Sequence, residues 1–283
     1  MEILLGKTAG FCGGVSFAVQ SSEQDLDKYN KVYCLGELVH NKEVINNLEK
    51  KGLIIVNNIS EAKDRIIIRA HGVEKDIYEK AKEMNIKLLD YTCKKVLLIH
   101  NLVEEYAKKG YYIILIGESN HPEVIGTYSF CGEYKSKVNK IEDIDEVINN
   151  IKKSNINKVL VVAQTTFNGL KFDEIVEKIK EKLDNSIELE INKTICNATM
   201  LRQNETIELS KQVDLMIIIG GKNSSNTNKL YEISNKYCQN AIVVETYKEI
   251  DKEFIKRFKK IGIMAGASTP KASIDEVVKY ISN

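Results

Sequence analysis

Lys158-Val159-Leu160-Val161-Val162 runs through Ala163 into Gln164-Thr165-Thr166, and an amphipathic stretch follows from Phe172 to Leu183. The opening residues are a β-branched run too short for a helix, while Phe172–Leu183 spaces its apolar residues by three and four among lysines and glutamates. A strand, a polar loop and a helix in that order make half of a βαβ unit. The alternation extends in both directions. Further strands read at Glu2–Leu5, Lys31–Cys34, Leu53–Val56, Arg65–Arg69, Lys87–Leu89, Tyr111–Ile116, Leu215–Ile219, Ala241–Val244 and Ile261–Met264. Helical stretches read at Lys75–Met84, Val96–Lys109, Met200–Gln212 and Asn228–Lys236. Short apolar strands without polar alternation, separated by helices, imply parallel sheet covered on both faces. The fold class is α/β.

Composition narrows the function. The 41 basic and 40 acidic residues leave a net charge of +1, which offers nothing to nucleic acid or to an anionic membrane surface. Acids and lysines interleave along the helices as solvated faces. Apolar runs such as Tyr111–Ile116 are far too short to span a bilayer. Met1-Glu2-Ile3-Leu4-Leu5-Gly6 does not read as a signal peptide. A cytoplasmic location is expected, where the six cysteines favour metal or catalysis over disulfides.

Three of those cysteines stand in polar or glycine-rich loops: Gly10-Phe11-Cys12-Gly13-Gly14, Thr92-Cys93 and Thr194-Ile195-Cys196-Asn197. They lie 81 and 103 residues apart, one in each third of the chain. Each third also holds three or four strands, which suggests three similar α/β units although their sequences are only weakly alike. The expected boundaries are 14–92, 93–192 and 193–283, the last completed by residues 1–13. Three scattered thiolates with no C-x-x-C pair suit zinc or an iron–sulfur cluster at a junction, with one metal position open. Cys34, Cys131 and Cys238 lie in apolar or aromatic surroundings and read as packing residues.

Polar residues concentrate just after strands, where parallel sheets bind ligands. Three of the four histidines fall there: His40 in Val39-His40-Asn41, His71 in Ala70-His71-Gly72, and His121 in His121-Pro122-Glu123. His100 lies within a helical stretch and reads as packing. The run Asn223-Ser224-Ser225-Asn226-Thr227-Asn228 exceeds what one helix cap needs, and with Ser268-Thr269-Pro270 it suggests phosphate held by hydroxyls and helix N-termini. Neither a P-loop nor G-x-G-x-x-G occurs, so a small phosphorylated or diphosphorylated substrate fits better than a nucleotide. Glu123 is the one carboxylate in a loop of this kind that also holds a histidine and a proline, and it could donate a proton. A zinc hydrolase of phosphorylated substrates and a non-enzymatic iron–sulfur sensor are the competing readings.

Taken together, the loops around Cys12, His40, His71, Cys93, His121, Gln164-Thr165-Thr166, Cys196, Ser224-Ser225-Asn226 and Ser268 resemble the 4-hydroxy-3-methylbut-2-enyl diphosphate reductase family over nearly the whole chain and in its order. The resemblance implies three α/β units in a pseudo-threefold trefoil around a [4Fe–4S] cluster with one open iron, held by Cys12, Cys93 and Cys196. It implies reductive dehydroxylation of an allylic alcohol diphosphate to isopentenyl and dimethylallyl diphosphate, the last step of the methylerythritol phosphate route. His40, His71, Ser224, Ser225, Asn226 and Ser268 would hold the diphosphate. Glu123 and Thr165, with His121 beside them, would serve the substrate hydroxyl. The electron donor would be a ferredoxin or flavodoxin. The family usually reads Asp-Ala-Thr-Cys-Pro where this chain has Asp90-Tyr91-Thr92-Cys93-Lys94, a change that bears on the shielding of the cluster.

Overall fold

A computed structural model describes residues 1–283. In chain order the elements begin β1 (Glu2–Leu5), α1 (Gly13–Tyr29), β2 (Val32–Leu35), α2 (Lys42–Lys50), β3 (Leu53–Val56), β4 (Arg65–Ile68), α3 (Lys75–Glu83) and β5 (Lys87–Asp90). Next come α4 (Lys94–Lys108), β6 (Tyr112–Ile116), α5 (Pro122–Phe130), β7 (Lys135–Val138), α6 (Ile144–Ser154), β8 (Lys158–Ala163), α7 (Gly169–Lys182) and β9 (Glu188–Ile191). The chain ends with α8 (Asn197–Ser210), β10 (Leu215–Ile219), α9 (Ser225–Tyr237), β11 (Ala241–Val244), α10 (Lys252–Ile255), β12 (Lys260–Ala265) and α11 (Lys271–Ser282).

The twelve strands form three four-stranded parallel sheets with orders β1-β12-β10-β11, β5-β4-β2-β3 and β9-β8-β6-β7. The fold is α/β, and one topology is used three times. The third sheet in sequence is closed by β1 from the chain's start. Every residue of the inner strands β6 and β10 is buried, so both faces need apolar side chains and the run reads as continuous rather than alternating.

Two strands go beyond the ten expected. β7 (Lys-Ser-Lys-Val) and β9 (Glu-Leu-Glu-Ile) are edge strands, whose charged residues are tolerated because one flank faces no partner. On β9 those charges are put to use: the Tyr111 hydroxyl donates to Glu188 at 2.6 Å, and the Tyr106 hydroxyl donates to Glu190 at 2.6 Å. Helices begin earlier than expected where the cysteines lie, with α4 starting at Lys94 and α8 at Asn197.

Contacts group the chain into two compact units. The first comprises Met1–Lys28, Val39–Gly52 and Asn197–Asn283, and contains the β1-β12-β10-β11 sheet; the second comprises Tyr29–Leu38 and Leu53–Cys196, and contains the other two sheets. No helix is long and apolar enough to cross a membrane.

The three sheets share details below the level of strand order. After β3, β7 and β11 the chain turns into a short 3-10 helix whose third residue is acidic. Glu61 accepts from the N–H groups of Asn57 and Asn58, Asp143 from those of Asn139 and Lys140, and Glu249 from those of Glu245 and Thr246. One carboxylate thus satisfies two orphan donors at the same corner each time. After β2, β6 and β10 a glycine (Gly36, Gly117, Gly220) donates its N–H to the last carbonyl of the neighbouring strand, Val56, Val138 or Val244.

Candidate functional site

Each loop cysteine follows the edge strand β1, β5 or β9 and immediately precedes a helix, α1, α4 or α8. Its backbone N–H donates to a carbonyl in the loop after the adjacent strand: Cys12 to Ala267 at 3.1 Å, Cys93 to Ala70 at 3.0 Å and Cys196 to Thr165 at 3.0 Å. One position, one element order and one hydrogen bond recur three times. None of the three is in a disulfide, and all are half-buried. The other cysteines differ in kind. Burial pushes the Cys34 and Cys131 thiols up to about 12, and the Cys131 and Cys238 thiols donate to the carbonyls of Thr127 and Asn240. As inert, buried thiols they match the packing role expected from sequence.

In the second unit, the loops after β6 and β8 build a tight acid–hydroxyl pair. His121 caps α5, its Nδ1 accepting from the Glu123 N–H at 3.1 Å, and Pro122 occupies the first helical position. Glu123 is therefore carried inward on the first turn of α5 and is almost fully buried. Its two carboxylate oxygens accept from the N–H and the Oγ1 of Thr165, each at 2.6 Å. Burial dominates its acidity and pushes the carboxyl up to about 7, while the two Thr165 hydrogen bonds pull the other way. At neutral pH this group both holds and releases a proton. The Thr165 carbonyl is the acceptor for Cys196, so acid pair and cysteine loop share one residue.

His71 stands on the loop after β4, its ring 5.3 Å from that of His121 in an edge-to-face arrangement. Gly72, at φ +75°, lets the chain turn there over His100, whose ring a Cβ at this position would meet at 2.9 Å. His100 is buried and stacked on Phe130 at 4.4 Å, and burial pushes it down to about 4, so it packs as a neutral ring.

In the first unit, Ser268 Oγ donates to the His40 carbonyl at 3.0 Å, and a Cβ on Gly221 would lie 2.7 Å from that same oxygen. The loops after β10 and β12 therefore both close on His40. Ser224 caps α9, its Oγ accepting from the Thr227 N–H. Asn226 is different: it is buried, and both ends of its carboxamide lack a hydrogen-bond partner within the protein.

Two supporting residues were not singled out from sequence. Arg202 on α8 is buried and donates to the carbonyls of Thr8 and Gly10 at 2.9 and 2.8 Å, and Glu205 accepts from the N–H groups of Lys7 and Thr8. Together they clamp the segment leading to Cys12. Arg202 is one of only four arginines among 41 basic residues, but nothing along the chain marks what it or Glu205 contacts.

A family model described as LytB protein matches residues 3–282. The 4-hydroxy-3-methylbut-2-enyl diphosphate reductases of Caldanaerobacter subterraneus subsp. tengcongensis and Clostridioides difficile are each 41% identical over 289 residues, covering 100% of this chain and 97% and 100% of theirs. Among solved structures, the E-1-hydroxy-2-methyl-but-2-enyl-4-diphosphate reductase of Plasmodium falciparum superposes with a TM-score of 0.91 at 33% identity, covering 100% of this chain and 88% of that one. A second structure, of (E)-4-hydroxy-3-methyl-but-2-enyl diphosphate reductase, described as the terminal enzyme of the non-mevalonate pathway, gives a TM-score of 0.71 at 38% identity and covers 100% and 99%. The chain belongs to the LytB family.

Proposed function

We propose that this protein is a 4-hydroxy-3-methylbut-2-enyl diphosphate reductase, working in the cytoplasm on the last step of the methylerythritol phosphate route. Its relatives' names supply the substrate and the reaction class. The balance is simple: the allylic C–O bond breaks, two electrons and two protons are consumed, and oxygen leaves as water while isopentenyl or dimethylallyl diphosphate forms. The buried Glu123–Thr165 pair is the observation that carries the chemistry. A carboxyl whose affinity for protons is centred near neutrality, fixed by two short hydrogen bonds, is suited to protonating a departing hydroxyl.

Cys12, Cys93 and Cys196 are proposed to hold a [4Fe–4S] cluster, and the donor set fits one. Three half-buried thiols outside any disulfide occupy equivalent places in the three sheets, whereas the remaining three are buried with raised pKa values or bonded to carbonyls. Held by these three thiolates, the cluster would supply the electrons and Lewis acidity that the side chains lack. The chain's own residues do the rest. His40, His71, Ser224, Ser225, Asn226 and Ser268 are assigned to the diphosphate, holding it away from the reacting bond so that binding becomes orientation. Thr165 fixes Glu123, and His121, whose Nδ1 caps α5 by accepting from the Glu123 N–H, is assigned to the substrate beside them. The expected domains are three α/β units over 14–92, 93–192 and 193–283 with 1–13, and the electron donor a ferredoxin or flavodoxin.

Anaerobic purification followed by iron, acid-labile sulfide and zinc analysis tests the cofactor assignment. About four irons and four sulfides per chain with a brown absorbance are expected. A colourless, air-stable zinc protein would overturn it.

A further inference from the structure

The slot where the loops after the first and third strands of each sheet meet is filled differently in each of the three sheets. In the β9-β8-β6-β7 sheet, a Cβ on Gly117 would meet Val124 Cγ2 at 2.7 Å, then the Gln164 Cβ at 3.0 Å and its Oε1 at 3.1 Å. Gln164 is fully satisfied: Oε1 accepts from the Glu118 N–H at 3.0 Å, and Nε2 donates to Thr166 Oγ1 at 2.8 Å. In the β1-β12-β10-β11 sheet the equivalent first residue after the strand is Gly266, and the space before Gly220 is taken by the Thr227 and Thr269 hydroxyls, 2.5 and 3.0 Å from where its Cβ would be. In the β5-β4-β2-β3 sheet the residue is Arg69, and its guanidinium lies where a Cβ on Gly36 would be.

A neutral filler is enough for the other two sheets, so the charge on Arg69 is not needed for packing. Its cost is visible. Arg69 Nε is buried without a hydrogen-bond partner, and burial pulls its pKa down. The one charged neighbour that acts on it is Glu37, since burial keeps the nearby Cys34 thiol protonated and neutral. A cavity of about 180 Å³ opens onto Arg69. Lys80 of α3 and Asn58 also line it, and Glu74 is the one acid on its wall. Lys80 pairs with Asp76 at 2.5 Å in an exposed i,i+4 bridge, a contact weak enough to be exchanged. Asn58 spends its Oδ1 on the Ser60 N–H and hydroxyl, which leaves its NH₂ as a donor.

We infer that this cavity is a binding site for a small oxyanion, a phosphate or a carboxylate, with Arg69 as its fork and Lys80 as its second cation. It is separate from the residues assigned to the diphosphate and does not depend on that assignment. Pro122 and Gly126 of α5, the residues on either side of the turn that holds Glu123, also line it, and Arg69 is two residues before His71. An anion bound here rests against both segments.

The test uses the anaerobically prepared holoprotein with isopentenyl diphosphate at saturation, titrated with inorganic phosphate and, in a second arm, with acetate, by isothermal calorimetry. The wild type should bind one anion per chain, and the tighter arm identifies the source. Arg69→Gln, which installs the neutral filler of the second sheet, should weaken binding at least tenfold with an unchanged melting temperature. Lys80→Gln, on the surface of α3, should weaken it several-fold and serves if the Arg69 variant does not fold. Equal binding by wild type and both variants, or no binding in either arm, would overturn the assignment. Diphosphate turnover is measured in parallel, so a failed reductase assignment and a failed anion site give different results.

Discussion

Replacing Glu123 with Gln separates proton delivery from everything else that residue does. The carboxamide is isosteric: one end still accepts from the Thr165 N–H, and the other donates to Thr165 Oγ1, which turns round to accept. What is lost is the exchangeable proton, worth about 10²–10⁴ in rate for a positioned general acid. The substitution also changes stability, with the opposite sign. The Glu123 carboxyl is raised from an ordinary 4.5 to about 7, so the folded state binds its proton more tightly than the unfolded chain does. The stability this contributes is complete below about pH 4.5 and is lost as pH rises through about 7. About 2.5 pKa units correspond to about 3 kcal/mol, an upper figure because the buried ion draws in water. The variant should therefore melt above the wild type at pH 8, match it near pH 4, and turn over at 1% or less of the wild-type rate. The wild-type rate should fall above about pH 7 as the acid form is lost. Anaerobic turnover and differential scanning calorimetry at the two pH values read both effects. A variant with near-normal turnover, or one that melts no higher than wild type at pH 8, would refute the reasoning.

Three further outcomes follow from the geometry. Cys93→Ser should abolish the cluster's visible absorbance while far-UV circular dichroism stays unchanged, because only the thiolate and not the backbone bond to Ala70 is altered. Gly72→Ala should cost about 1–3 kcal/mol in chemical denaturation, from positive φ and the clash with His100 together. His100→Phe should preserve or raise stability, since both ring nitrogens are buried without partners; it should also remove the loss of stability that the wild type shows as pH falls from about 6.5 towards 4, where a histidine with a depressed pKa must take up its proton.

How much was legible in the sequence depended on whether the governing force leaves a one-dimensional trace. β6, β8 and β10 were plain because burial on both faces demands unbroken apolar runs. β7 and β9 were not, because an edge strand's charges break the pattern that identifies a strand. The three cysteine loops stood out through their glycines and polar neighbours, yet the threefold correspondence itself looked faint. It is carried by backbone hydrogen bonds and by single residues at matching corners: Gly36, Gly117 and Gly220, then Glu61, Asp143 and Glu249. Such positions are few, and the residues between them vary freely. At the site, His121 and Glu123 were visible by proximity in the chain. That Thr165 would satisfy both carboxylate oxygens required the parallel pairing of β6 and β8. Arg202 and Glu205 were hidden because their contacts are to residues nearly two hundred positions away.

The most direct test of the central claim is a single anaerobic experiment with the reconstituted protein, a chemical reductant and 4-hydroxy-3-methylbut-2-enyl diphosphate. Products are followed by mass spectrometry. Isopentenyl and dimethylallyl diphosphate are expected at one water per turnover, abolished when the cluster is removed and restored when it is rebuilt. A protein that carries a full cluster and leaves the substrate unchanged, or one that merely releases phosphate from it, would contradict the account.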